Sequence, residues 1–221
     1  RDSVSELLQV VADKRRGIRG SKAHPLVDGF IEKPLRDGWK WVPLGDLTSG
    51  ISDGVHKTPR YVDSGVPFIT VKNLTAGAGI SFADTKFITE DDHREFIKRT
   101  NPENGDILIS KDGTIGVVRQ IRMDKVFSIF VSVALVKPID KRLSDYLTLA
   151  LQAPSVQEQI VPKGAALKHL YLADLRRLPI PIGPLSELQT TIERFVQNQA
   201  DLQRVKRAHS EKLRDIDDLR Q

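Results

Sequence analysis

Val4, Leu7, Leu8 and Val11 recur at i, i+3, i+4 and i+7, so residues 3–16 are predicted to form an amphipathic helix that stops at Gly17. Lys14, Arg15 and Arg16 crowd its last turn, where positive charge suits a helix C-terminus. Residues 17–37, rich in Gly, Lys and Pro, read as a linker. From Trp39 to Pro138 the period changes. Apolar runs at 66–71, 107–109, 115–118 and 126–136 are separated by Gly, Asp and Pro, which predicts strands spaced too irregularly for a sandwich. Trp39 and Trp41 stand two apart, on one face of a strand, and are expected in the core. Thr89 precedes three acids and caps a short helix. Leu143, Tyr146, Leu147, Ala150 and Leu151 make a helical stripe over 143–160, broken at Pro154. After Pro184, a seam of Leu188, Ile192, Phe195, Gln199 and Leu202 follows 4-3-4-3 spacing, and Val205, His209, Leu213 and Ile216 continue it out of phase. A helix from Pro184 to the C-terminus would reach roughly 57 Å, so a second helix is needed to cover its stripe. The fold class is therefore α+β: a β-rich globular domain followed by a long coiled-coil-type α-helix.

One stretch stands out in the β region, residues 105–118, Gly-Asp-Ile-Leu-Ile-Ser-Lys-Asp-Gly-Thr-Ile-Gly-Val-Val. It reads as a hairpin: a strand over 107–109, Asp112-Gly113 as a turn dipeptide tolerating positive φ, and a second strand over 115–118. Lys111, Asp112 and Thr114 put a cation, an anion and a hydroxyl at its tip, which suits a partner contact as well as a solvated turn. A second polar loop, 52–61, carries His56, Lys57, Thr58 and Arg60 and runs into the strand at 66.

Composition narrows the classes. The chain has 221 residues, enough for one domain of about 150 residues with helical extensions. Its 34 basic residues against 29 acidic ones give +5, which permits a polyanionic partner without requiring one. The absence of cysteine removes disulfides, thiol catalysis and Cys-based zinc sites, and suits a reducing cytoplasm. No apolar run approaches a membrane span, so no membrane partner is expected. The only methionine is Met123, which implies that Arg1 is not a translation start and that the chain is a piece of something longer.

The order of motifs is informative. Gly38-Trp39-x-Trp41-x-Pro43-Leu44-Gly45-Asp46-Leu47 leads to the Asp53-Gly54-x-His56-x-Thr58-Pro59-x-Tyr61 loop, then Gly65-Val66-Pro67-Phe68-Ile69, the 105–118 hairpin, and Leu178-Pro179-Ile180-Pro181-Ile182-Gly183-Pro184-Leu185-Ser186-Glu187-Leu188-Gln189. This succession, over about residues 36–221, resembles the target recognition domain of specificity subunits of type I restriction-modification enzymes. One departure is visible: the family usually writes Pro-Leu-Pro-Pro-Leu-x-Glu-Gln, and here Leu188 separates Glu187 from Gln189. The resemblance implies a helix fragment at 1–19 ending a preceding spacer helix, a linker at 20–37, the recognition domain at 38–183 and a spacer helix at 184–221. It further implies double-stranded DNA recognition with His56, Lys57, Thr58, Arg60, Lys72, Asn73, Lys111, Asp112 and Thr114 as candidate contacts. Lys163, Gly164 and Lys168 join them from a loop that faces nucleic acid in the resembled domains. Leu188, Ile192, Phe195, Leu202, Val205 and Ile216 would form a helix-helix interface with a second recognition domain or a second copy. Methyltransferase and restriction subunits are the implied partners, and S-adenosylmethionine, ATP and Mg belong to them and not to this chain.

Catalytic chemistry is not evident. There is no Gly-rich cofactor loop, and Asn101-Pro102-Glu103-Asn104 lacks the Asn-Pro-Pro-aromatic arrangement of an amino-methyltransferase. Asp84-Thr85-Lys86 has half of a metal-nuclease motif and reads as a solvated turn, and the five histidines are scattered singly, so no metal site is expected. The competing class is a protein-interaction module that oligomerises through its long helix. A fused nuclease or methyltransferase would need its catalytic part upstream of Arg1.

Overall fold

The computed structural model describes the chain apart from residues 1, 2, 19, 21, 28, 29, 31, 32, 165–167 and 219–221 and the side chains of 213 and 215–218. Its centre is an antiparallel sheet in the order β2 (Thr48–Asp53), β8 (Val133–Pro138), β5 (Ile107–Ser110), β6 (Val118–Gln120). Both faces of this sheet are covered, which explains its unbroken apolar runs. Ile107, Ile109, Ala134 and Val136 point into one core with α1 (Val4–Arg16), α4 (Ser144–Gln152), α5 (Pro154–Gln157) and α6 (Leu172–Arg176). Leu108, Val133 and Leu135 point the other way, toward Ile69, Leu74, Phe127 and Ile129. Except for Phe127, which directly precedes β7, those partners belong to a second sheet, β4 (Lys86–Ile88), β3 (Val66–Ile69), β7 (Ser128–Ile129), and to α2 (Val71–Thr75). The pair β1 (Lys40–Pro43) and β9 (Pro179–Ile182) brings the two ends of the domain together.

The expected α+β architecture is present. Several local expectations are corrected. The run at 126–136 is two strands, because the chain turns at Phe130 to Ser132, sending Ser128–Ile129 parallel to β3 and Val133–Pro138 into the central sheet. Val71 opens a helix instead of ending a strand, and its N-cap Thr70 forms a capping box with Asn73. The tryptophans lie at the margin of the core and not inside it: both are half-buried, and Trp39 packs against the main core beside Tyr146. Trp39 donates to Glu187 at 2.7 Å and lies under Arg36, while Trp41 meets Phe30 edge-on and donates to the Lys33 carbonyl. They clamp the start of the long helix and the preceding linker. Thr89 caps α3 (Glu90–Phe96) as expected, accepting from the Asp92 N–H at 3.1 Å.

The helix expected at 3–16 forms as α1, with a capping box between Ser3 and Glu6 and Gly17 at its C-cap. Its buried Val4, Leu7 and Val11 are part of the main core, and its terminal cations turn inward: Lys14 pairs with Asp140 at 2.8 Å and Arg15 with Asp46 at 3.1 Å. Arg142 also holds Asp140, through two guanidinium nitrogens and its backbone N–H. These hydrogen bonds from Arg142, with Lys14 in support, outweigh burial and keep the Asp140 carboxyl far below the ordinary carboxylate range. A depressed folded-state pKa means stability that is complete above the unfolded value, about 3.9, and lost as pH falls toward the folded one. The urea midpoint is therefore expected to stay flat above about pH 5 and drop below about pH 4. Asp140→Asn should flatten the drop, and an unchanged acid limb would remove Asp140 from its causes.

The long helix α7 spans Leu185–Asp218, 34 residues, about 51 Å at 1.5 Å each. Its seam divides. Leu188 is 1% exposed inside the main core, so the domain itself uses it up and leaves it no surface for a helix-helix interface, while Ile192 is half-buried against the same core. The Leu188 N–H donates to the Pro184 carbonyl at 3.0 Å, closing the first turn of the helix. Phe195, Leu202 and Val205 stand exposed beyond it, and the Ile216 side chain lies outside the described residues.

Candidate nucleic-acid interface

Strands β5 and β6 form the expected hairpin, Ile107 opposite Gln120 and Ile109 opposite Val118. Its connection is a longer loop than the predicted two-residue turn. The second strand begins at Val118, and the positive φ values fall on Gly113 (68°) and Gly116 (86°), not on Asp112. The Val117 N–H donates to the Ser110 hydroxyl at 2.8 Å, and the Ser110 N–H donates to the Val117 carbonyl at 3.0 Å, which closes the base of the loop.

Other loops gather at this tip. The Leu170 N–H donates to the Lys111 carbonyl at 2.9 Å, His169 and Lys163 exchange backbone hydrogen bonds, and the His169 ring bonds the Asp112 carboxylate. Lys163 and His169–Leu170 thus add an edge to the hairpin. A Cβ placed on Gly113 would lie 3.9 Å from Val71, which puts α2 alongside. The 54–61 loop starts at the end of β2, where the Gly54 N–H donates to Val133 O and the Val55 N–H to Ile129 O, and it regains the second sheet at Val62 opposite Phe87.

Within this cluster the candidate side chains have different fates. Lys57, Arg60, Lys72 and Lys168 are exposed and form no ion pair among the described residues, and Thr58, Thr114 and Gly164 are exposed beside them. Lys163 is exposed but leans on Asp174 at 2.8 Å. Two candidates are corrected. Asn73 is 5% exposed with its amide fully used: its oxygen accepts from Thr70, and its nitrogen donates to Ser81 O and the Thr85 hydroxyl. It is a staple for the 76–85 segment and cannot also read a base. Lys111 is not a free cation at the tip, because its side chain is 12% exposed and pairs with Asp53 at 3.2 Å.

Sequence reasoning missed Asp53 and Arg99. Asp53 closes β2 with a side chain 6% exposed, and Arg99 reaches it at 2.6 Å and His56 at 3.5 Å. Burial opposes ionisation here, yet the hydrogen bonds from Lys111 and Arg99 prevail and hold the carboxyl below its usual value. In sequence Asp53 is one more acid in a polar loop, and nothing local announces a partner such as Arg99 that only the fold brings near. Four histidines meet four separate partners: His24 Asp46 and His93 the Ser128 hydroxyl, each at 2.8 Å, His56 Asp53 at 3.5 Å, and His169 Asp112. Among the described residues no group of His, Asp and Glu has the arrangement of a metal site, and no helix is long and apolar enough to cross a membrane.

Comparison with known proteins fits this arrangement. One chain from the structure of a type I R-M system, solved for its complex assembly and conformational transition, superposes with a TM-score of 0.58 at 20% identity, covering 95% of this chain and 51% of that one. The HsdS subunit from Thermoanaerobacter tengcongensis gives 0.56 at 20% identity, covering 93% and 47%. The type I restriction-modification S subunit from M. genitalium gives 0.51 at 17% identity, covering 79% and 42%. The chain thus spans about half the length of these structures. No characterised protein matches it by sequence comparison. The family model for the type I restriction modification DNA specificity domain matches residues 36–212, most of the chain, and the protein belongs to that family.

Proposed function

We propose that this chain reads part of a double-stranded DNA target as the recognition half of a type I specificity subunit, without catalysing a reaction itself. The observation that carries the reading is the convergence on the 111–117 hairpin loop of Asp53 at the root of the 54–61 loop, of α2 and of Lys163 and His169–Leu170, with Lys57, Arg60, Lys72 and Lys168 exposed and unpaired among the described residues. Cations on flexible stems neutralise phosphates, and a guanidinium such as Arg60 can also grip a guanine edge in bidentate fashion. Thr58 and Thr114 add hydroxyls that donate or accept at base edges. A methyltransferase subunit would bring S-adenosylmethionine and the flipped-base pocket, and a restriction subunit would bring ATP and Mg. The exposed length of α7 would dock against the helix of a second recognition domain or a second copy.

Selecting bound duplexes from a random pool, with the chain assembled with its methyltransferase partner, is expected to recover a defined motif. Affinity for that motif should fall steeply with salt, by roughly one logarithmic unit of slope per phosphate neutralised. The chain alone should transfer no methyl group from S-adenosylmethionine. Recovery of no motif, with binding indifferent to salt, would favour a protein-interaction module.

A further inference from the structure

We infer that Asp53 is a positioning residue for DNA discrimination, a buried carboxylate that fixes the roots of two reading loops and keeps two nearby cations from acting as general phosphate binders. The inference rests on the DNA-reading function proposed above. Asp53 sits on rigid ground: it is paired with Ala134 across the central sheet, and its carbonyl accepts from the Thr100 hydroxyl at 2.7 Å. Its carboxylate meets cations or a ring from three different segments. Lys111 comes from the hairpin loop (3.2 Å), Arg99 from the turn after α3 (2.6 Å) and His56 from the 54–61 loop (3.5 Å).

That geometry has two effects at once. It holds the two loops at a fixed separation, so that side chains such as Thr58 and Thr114 meet base edges in one register. It also occupies Lys111, 12% exposed, and one face of Arg99, 55% exposed, with an internal anion. A cation committed inside the protein adds little to sequence-independent attraction, which comes from phosphate neutralisation. Specificity is a difference between affinities, so limiting the generic part raises it.

Asp53→Asn keeps the size of the side chain and removes its charge, which loosens the loops and frees both cations. Affinity for unrelated duplexes should rise and its salt slope steepen by about one to two units. Preference for the selected motif over singly substituted sites should fall about tenfold or more. A residue with a merely structural role would lower both affinities together. Amide hydrogen exchange supplies a readout independent of DNA: in the variant, residues 54–61 and 111–117 should exchange faster while β5 and β8 stay protected. Arg99→Gln, at an exposed position, removes one partner without threatening the fold and should speed exchange in the 54–61 loop. Wild-type exchange in both variants, or parallel loss of specific and unspecific affinity in Asp53→Asn, would overturn the inference while leaving the DNA-reading function intact. Absence of any sequence preference in the wild type would overturn both.

Discussion

Gly54→Ala is expected to destabilise the domain by about 3 kcal/mol or more, through steric overlap with backbone that no rotamer can relieve. A Cβ at this position would stand 2.0 Å from the Ile129 carbonyl oxygen and 2.5 Å from the Phe130 carbonyl carbon. The 54–61 loop would have to lift away from the turn between β7 and β8. Three hydrogen bonds would suffer: Gly54 N–H to Val133 O (3.2 Å), Val55 N–H to Ile129 O (3.2 Å) and Val131 N–H to Val55 O (3.0 Å). At about 1 kcal/mol net for each bond, their loss alone accounts for that figure. For a chain of this size the melting temperature should drop by roughly 6 to 12 °C. Calorimetry on the purified variant checks it, and a shift under about 2 °C would mean that the two segments are not packed so closely. The effect matters for function because Gly54 follows Asp53, so the same close approach that excludes a methyl group fixes where the loop carrying Lys57 and Arg60 begins.

What the sequence made legible follows from how local each signal is. The β5–β6 hairpin could be read because its strands are near neighbours and its turn needs glycine, and α1 could be read because Val4, Leu7 and Val11 repeat at helical spacing within one short segment. The division of 126–136 into β7 and β8 was hidden, since both strands are apolar and only the fold assigns Ile129 to β3 and Val133 to β5. Lys86–Ile88 was hidden too: it is short, half exposed, and a strand only because β3 lies beside it. The same distinction governs the site. Exposed cations such as Lys57 and Lys72 were legible as candidates, because polar loops announce themselves. The fates of Lys111 and Asn73 were not, since a lysine paired to Asp53 and an amide spent on Ser81 and Thr85 look in sequence like any other polar residue beside a turn. Residue type gives the chemistry available, and the partner decides whether it is still free.

The long helix gives the clearest separation between folding and assembly, and two substitutions on it should have opposite consequences. Leu188 is 1% exposed and packed in the main core, so Leu188→Ala should cost about 2 to 5 kcal/mol and lower the melting temperature of the whole domain. Phe195, at the rim of a groove it shares with Val118 and Thr148, is 41% exposed, and farther along the polar helix Leu202 and Val205 are 45% and 65% exposed. Placing Asp at both 195 and 202 should lower the melting temperature far less than Leu188→Ala does, because more than two-fifths of each residue is exposed and neither is part of the main core. Docking of a partner helix is another matter. Burying a large apolar side chain contributes about 1.5 to 3 kcal/mol, so losing two weakens assembly by about 3 to 6 kcal/mol, at least a hundredfold in dissociation constant. Sedimentation of the double variant should show the assembly dissociated while circular dichroism keeps the helical and sheet content of the wild type. If the double variant assembles as the wild type does, the exposed stripe is not the docking face. If Leu188→Ala melts with the wild type, the helix is not anchored in the core, and the assignment of its first turns to the recognition domain fails with it.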